Sequence, residues 1–167
     1  MSRYELATDG ACVPNPGGVA SYGVVLWAEK SDAYEEVDTR AGLVGRGPGM
    51  TNNVAEYAAM LEGLRLVLEL AEKDWLDRAG VDLLVDSDSQ LVINQLLGKW
   101  RVTEGKLYVP YYRQTATVLK QVEQRVTTVA LRWIPREQNE RADSLSQHAL
   151  YDAGVVLPAP VSGQSIR

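Results

Sequence analysis

The feature that most constrains this chain is a change of hydrophobic period near residue 50. Before it, apolar residues alternate or gather in β-rich runs; after it, they recur at helical spacing. Tyr4, Leu6 and Thr8 alternate with Glu5, Ala7 and Asp9, and a Gly/Pro/Asn cluster from Pro14 to Gly18 stops the pattern. Ala20 to Trp27 is rich in β-formers, and Glu36 to Val44 follows a polar turn at Lys30 to Asp32. Three strands with such short connections predict an antiparallel meander.

Beyond the glycine-rich loop Gly45 to Met50, Asn53 opens a helix with apolar positions at Ala55, Ala58, Ala59, Leu61, Leu64, Leu68 and Ala71. Val81 to Val85 reads as a buried strand, Ser89 as the cap of a helix from Gln90 to Leu97, and Tyr111 to Val126 as a further helix. Thr127 to Ile134 is β-rich, Pro135 interrupts it, and Asn139 is placed to cap a last helix through about Leu150. The order βββαβααβα predicts an α/β fold, with a mixed sheet whose parallel part is covered by helices. A chain of 167 residues, 46% of them hydrophobic, fits one domain with a sizeable core. That domain is expected over residues 1–153, with 154–167 a Gly/Pro/Ser-rich tail.

Charges break every long apolar run, so no membrane span is expected. The lone Cys12 cannot form an internal disulfide and no basic-then-hydrophobic leader opens the chain, which together point to a reducing, cytoplasmic setting. A monomer is expected. The net charge of −5 argues at first against a polyanionic partner, yet it hides a division. Residues 99–141 hold nine Lys and Arg against four Glu, a balance of +5, which leaves −10 for the rest. One face can therefore attract nucleic acid, although ordinary solvated helix charge accounts for composition alone equally well.

Four carboxylates stand at element boundaries: Asp9 closing the first strand, Glu56 in the first turn of the long helix, Asp88 after the fourth strand, and Asp143 early in the last helix. In a mixed α/β sheet such ends gather at one edge, where ligands commonly bind. Gathered there, two unit charges about 4 Å apart repel by about 4 kcal/mol at an effective dielectric of about 20. A divalent cation relieves that repulsion, and an all-oxygen ligand set favours magnesium or manganese over zinc. Singly, each residue has a local explanation. Asp9-Gly10 is a common turn dipeptide, Asn53 with Glu56 resembles a capping box, Asp88 can start a turn, and Asp143 can complement a helix dipole. Spacing also leaves Asp86 and Asp88 equivalent, because both have the same strand parity.

The strings "TDGACVPNPGGVASYG" (Thr8 to Gly23), "TNNVAEY" (Thr51 to Tyr57), "DSQLV" (Asp88 to Val92) and "WIPREQNERAD" (Trp133 to Asp143) together resemble the type 1 ribonuclease H family. Four separate motifs in order, spanning nearly the whole chain, make the resemblance specific. It implies a five-stranded mixed sheet flanked by helices, and an endonuclease that cleaves the RNA strand of RNA–DNA hybrids with two magnesium ions, manganese being a possible substitute. Carried over by motif, Asp9, Glu56, Asp88 and Asp143 become the metal ligands and catalytic carboxylates. The resemblance selects Asp88 over Asp86, because Asp88 directly precedes Ser89-Gln90. Gly10, Cys12, Asn15, Asn52, Asn53 and Gln90 match the family's contacts to sugar hydroxyls and groove edges. Helix capping is an equal alternative for Asn52 and Asn53.

Two departures stand out. Many relatives carry a histidine in the loop before the final aspartate, where this chain has Arg136-Glu137-Gln138; its one histidine, His148, falls inside the last helix on another face from Asp143 and reads as structural. Many bacterial members also carry a long basic protrusion, whereas Gly98 to Pro110 is short. Lys99, Trp100 and Arg101 remain there as expected hybrid contacts, with burial of Trp100 under the next helix as the alternative. Three other functions compete: the same fold acting on RNA duplex or DNA, a non-catalytic nucleic-acid-binding module, and an acidic metal-binding protein. No loop has the ligand spacing that the last would need.

Overall fold

The computed structural model describes residues 1–157. Its elements are β1 (Ser2–Val13), β2 (Val19–Lys30), β3 (Ala33–Arg46), α1 (Asn52–Glu72), β4 (Val81–Ser87), α2 (Gln90–Leu96), α3 (Val109–Glu123), β5 (Thr128–Trp133) and α4 (Glu140–Asp152), with a 3-10 turn at Arg136–Gln138. The type and order of every expected element are found. The strands form one five-stranded mixed sheet in the order β3-β2-β1-β4-β5, antiparallel through β3, β2 and β1 and parallel through β1, β4 and β5. The expected tail lies, beyond Leu157, outside the described residues.

Strand alternation divides β1 and β2 between two layers. Leu6, Val24 and Leu26 turn to one face and join Val54, Tyr57, Met60 and Leu64 of α1 with Leu119 and Val122 of α3 in the main core. Ala7 and Val25 turn to the other face, under Ala142 of α4. Helix α1 is buried over most of its circumference because it lies between the sheet and α3. The main core therefore fixes α1 firmly, and α1 carries Glu56.

Three of the boundaries that differ from expectation have a clear physical cause. Strand β1 does not turn at Asp9-Gly10; it stays paired with β2 as far as Val13↔Val19, so ladder hydrogen bonds override the local turn preference of the dipeptide. Helix α1 begins earlier than Asn53, capped by Thr51, whose hydroxyl accepts the Val54 N–H at 3.1 Å. Glu56 thus sits past the first turn and closes no capping box with Asn53. Helix α3 starts at Val109, where Pro110 in the first turn costs no internal hydrogen bond.

Candidate active site

Strands β1 and β4 part company at one end of the sheet. Their last parallel pair is Thr8↔Ser87; beyond it β1 runs on with β2 alone, so Asp9 and Asp88 are the first residues past the split. Two glycines bring the helices to this point. A Cβ on Gly10 would stand 2.2 Å from the Ala55 carbonyl oxygen, and one on Gly23, the β2 partner of Asp9, 2.3 Å from that of Ala142. Only a missing side chain lets α1 and α4 press so closely on the sheet. The residues that follow those two alanines in sequence are Glu56 and Asp143.

The electrostatics record the resulting crowding. Burial pushes the Asp9 carboxyl well above the usual range, and the charges of Asp88, Asp143 and Glu56, with a hydrogen-bonding contact to Asp143, push it the same way. Burial carries Glu56 up to about 7; a hydrogen bond with Ser89 opposes this and the Asp88 charge adds to it. Asp88 is also raised, chiefly by burial, against hydrogen bonding with Asn139. The other three expected carboxylates thus act on Asp9 together.

Each carboxylate is also oriented by protein groups. The Gly10 N–H donates to Asp9 Oδ1 at 3.0 Å, and Gln147 Nε2 donates to both oxygens of Asp143 at 3.2 and 3.1 Å. Arg136 NH2 stands 3.7 Å from Asp143. As the side chains stand, no three His, Cys, Asp or Glu among the described residues form a ready metal cage. The donor set nevertheless fits a hard divalent cation: all oxygen, buried or half-buried, and mutually repelling, with Arg136 as a nearby counter-charge.

Asp86 is not part of this group. It is 1% exposed, and Arg132 on β5 holds both its oxygens, Nε to Oδ1 at 2.8 Å and NH2 to Oδ2 at 2.9 Å. Among the expected ligand contacts, Asn15 and Asn52 form a relay: Asn15 Oδ1 accepts the Asn52 N–H at 3.0 Å and Asn52 Oδ1 accepts the Cys12 N–H at 2.9 Å. Asn53 and Gln90 are exposed beside the cluster, one on α1 and one at the start of α2. The Cys12 side chain, by contrast, is buried against Ala20 and Ala55 with its thiol toward the Pro14 carbonyl, so its surroundings are those of a packing residue. Trp100 is about half exposed at 46%, not packed under α3, and Lys99 and Arg101 beside it are exposed. His148 pairs with Asp152 on the outside of α4.

Sequence reading missed Asn139. It occupies the N-cap position of α4 but makes no capping bond with its side chain. Instead its Nδ2 donates to the Thr8 carbonyl at 2.9 Å, and the side chain reaches Asp88. Its Oδ1 is buried with no protein donor among the described residues. One amide thus ties the residue before Asp9, the carboxylate of Asp88 and the start of the helix bearing Asp143. The signal was present as a polar residue before a helix, but capping explains such a residue without reference to the site.

The sequence pattern described as reverse transcriptase-like fits residues 7–149. The chain is 30% identical over 148 residues to a bifunctional protein of Mycobacterium tuberculosis, a match covering 89% of this chain but 35% of that one, so it spans about a third of that relative's length. The solved RNase H1 of Halobacterium salinarum is 31% identical and superposes with a TM-score of 0.67 over 90% of this chain and 98% of that one. LC11-RNase H1, solved in complex with RNA/DNA hybrid, is 28% identical with a TM-score of 0.71 over 91% and 99%. A mixed β3-β2-β1-β4-β5 sheet with carboxylates at its split defines a ribonuclease H-like fold. The chain belongs to the ribonuclease H family, and its likeness to the type 1 members extends over nearly its full described length.

Proposed function

We propose that this protein is a metal-dependent endonuclease that hydrolyses the RNA strand of RNA–DNA hybrids. The observation that carries the reading is the convergence of Glu56, Asp88 and Asp143 on the buried Asp9, in a family whose solved members include an RNase H1 bound to RNA/DNA hybrid. In this reading the four carboxylates hold two magnesium ions, or manganese in their place. The ions would supply positive charge to the attacking water, the scissile phosphate and the leaving oxygen. Gly10 N–H and Gln147 orient Asp9 and Asp143, while Asn139 orients Asp88. In this reading Asn15, Asn52, Asn53 and Gln90 contact the hybrid, where a ribose 2′-hydroxyl would distinguish RNA from DNA. On the same reading Arg136, 3.7 Å from Asp143 in the loop where the resemblance leads to the expectation of a histidine, screens that carboxylate's charge. The domain is assigned to residues 1–153 with 154–167 as a tail. The reading extends to a monomer in a reducing cytoplasm, where a free thiol such as Cys12 persists. No helix among the described residues is long and apolar enough to cross a membrane.

Magnesium-dependent cleavage of a labelled hybrid by wild type, Asp88→Asn and Asp86→Asn tests the reading. Wild type cleaves, Asp88→Asn does not, and Asp86→Asn cleaves with a lowered Tm because Arg132 loses its buried partner. Equal loss of activity in both variants sinks the ligand assignment. A wild type that binds hybrid without cutting it indicates a binding module, and preference for RNA duplex or DNA in parallel assays changes the substrate.

A further inference from the structure

The eleven residues from Leu97 to Leu107 contain no helix or strand, yet they carry Lys99, Trp100 and Arg101. A segment of that length held only at its ends would sample many positions relative to the carboxylates. Within it the Lys99 and Trp100 N–H groups donate to the Asn94 carbonyl at 2.8 and 3.1 Å, Val102 packs against the main core and Glu104 pairs with Arg113; the buried side chain that ties its middle to α1 is Gln95 on α2, which is 2% exposed. Gln95 Nε2 donates to the Arg101 carbonyl at 3.0 Å and to the Tyr108 hydroxyl at 3.0 Å, while its Oε1 accepts from the Tyr57 hydroxyl at 2.6 Å. Both amide protons and the carbonyl are used. Tyr57, fully buried, follows Glu56 on α1 and stacks on Tyr108 at 5.5 Å between ring centroids. A chain of two hydrogen bonds therefore runs from the residue beside Glu56 to the backbone of Arg101.

A hydrophobic residue at position 95 would serve packing alone. A buried glutamine is retained at a desolvation cost that only complete hydrogen bonding offsets, and complete bonding here fixes one geometry. We infer that Gln95 is a positioning residue that sets the Lys99–Trp100–Arg101 segment at a fixed distance from the carboxylate centre, so that a hybrid backbone held by this segment presents its RNA strand to Asp9, Glu56, Asp88 and Asp143. This role rests on the proposed hybrid cleavage. The anchor itself can be measured without nucleic acid.

Gln95→Leu keeps the side-chain bulk and removes all three hydrogen bonds. Hydrogen exchange of the free protein is followed at residues 98–107 and, as an internal control, along α1. The Kd for a hybrid is measured in the Asp88→Asn background, and the single-turnover rate at saturating hybrid in the active protein. The 98–107 amides exchange faster while α1 stays protected, Kd rises about tenfold, and the saturating rate stays within about twofold. Tyr57→Phe, which leaves the bond to Arg101 in place, gives a smaller rise in Kd. Lys99→Ala with Arg101→Ala weakens binding at least as much as Gln95→Leu. Unchanged Kd in Gln95→Leu, a saturating rate that falls with Kd unaltered, or equal loosening of α1 overturns the inference. If wild type cleaves hybrid and Gln95→Leu binds it normally, this inference alone fails. If wild type binds hybrid but does not cut it, the nuclease reading fails while the exchange and Kd arms still decide the anchor.

Discussion

Asp86 and Asp88 are two residues apart, yet the first is sealed from solvent and clasped by Arg132 while the second stands at the strand end beside Asp9. The clasp has a third member. Glu5 on β1 is pushed up to about 7, first by burial and then by hydrogen bonding and charge from Asp86, with Arg132 pulling the other way. A carboxyl whose pKa is raised in the folded state binds its proton more tightly there than in the unfolded chain. Its stabilising contribution is therefore complete below about pH 4.5 and lost as pH rises through about 7. Glu5→Gln mimics the protonated form, so its Tm exceeds that of wild type at pH 8 and matches it near pH 5. Melts across that range check this, and a Glu5→Gln protein less stable at pH 8 would show that the charged form is favoured. The same pair marks the limit of sequence reading at this scale. The four candidate carboxylates were legible because each stands in its own motif. The parity argument for Asp86 held for the strand but could not register Arg132, which lies 46 residues further on. Asn139 and Gln95 stayed hidden for a related reason: the partners that tie them to the site, Thr8 for the first and Tyr57 for the second, are far away in sequence.

At the scale of elements, the helix and strand order was legible because hydrophobic period is a local property, whereas the boundaries were decided by pairing across the sheet. Asp9-Gly10 illustrates this. Read locally it is a turn; in the sheet it lies within β1, and Gly10 is there for the approach of α1. A methyl group at Gly10 meets backbone of Ala55 and Glu56, which cannot yield as a flexible side chain would. Gly10→Ala must displace the start of α1 and Glu56 with it, at a cost of about 1–3 kcal/mol typical of overpacking. Thermal melts should show that loss. Cleavage should fall further than the melt explains when assayed well below Tm, because Glu56 moves relative to Asp88. Gly63→Ala offers a comparison: its new methyl would meet side-chain carbons of Thr8 and Leu6 at 2.9 to 3.3 Å, near the middle of α1. It should destabilise while leaving the specific activity of the folded fraction near wild type. Equal specific activity in Gly10→Ala and wild type would detach the α1 contact from the site.

Over the whole molecule, the charge division seen in the sequence becomes smaller and more local once partners are assigned. Of the nine basic residues between 99 and 141, Arg113 pairs with Glu104, Arg132 with Asp86 and Glu5, and Arg141 with Glu36, while Arg136 leans toward Asp143. Among the described residues, Lys99, Arg101, Lys106, Lys120 and Arg125 have no ion-pair partner, and the first three lie in the segment that Gln95 ties to α1. The balance of +5 thus overstates the free positive surface, and three of the five unpaired cations fall on one short stretch, the other two lying at the end of α3. Counterion release then sets the expectation. Three phosphate contacts give a slope of log K against log salt near −3, taking about 0.9 per contact as for B-form DNA. Removing one cation by Lys99→Ala should make the slope shallower by about 1 and weaken binding similarly for hybrids of different sequence. Lys120→Ala, on α3 away from that stretch, should leave the slope unchanged. Titrations of a fluorescent hybrid at constant magnesium over a range of potassium chloride measure all three proteins. A wild-type slope near zero, or an equal response to Lys99→Ala and Lys120→Ala, would mean that the hybrid is not held by this segment. The carboxylate end would then have to bind the polyanion through its metal ions alone, against a chain of net charge −5.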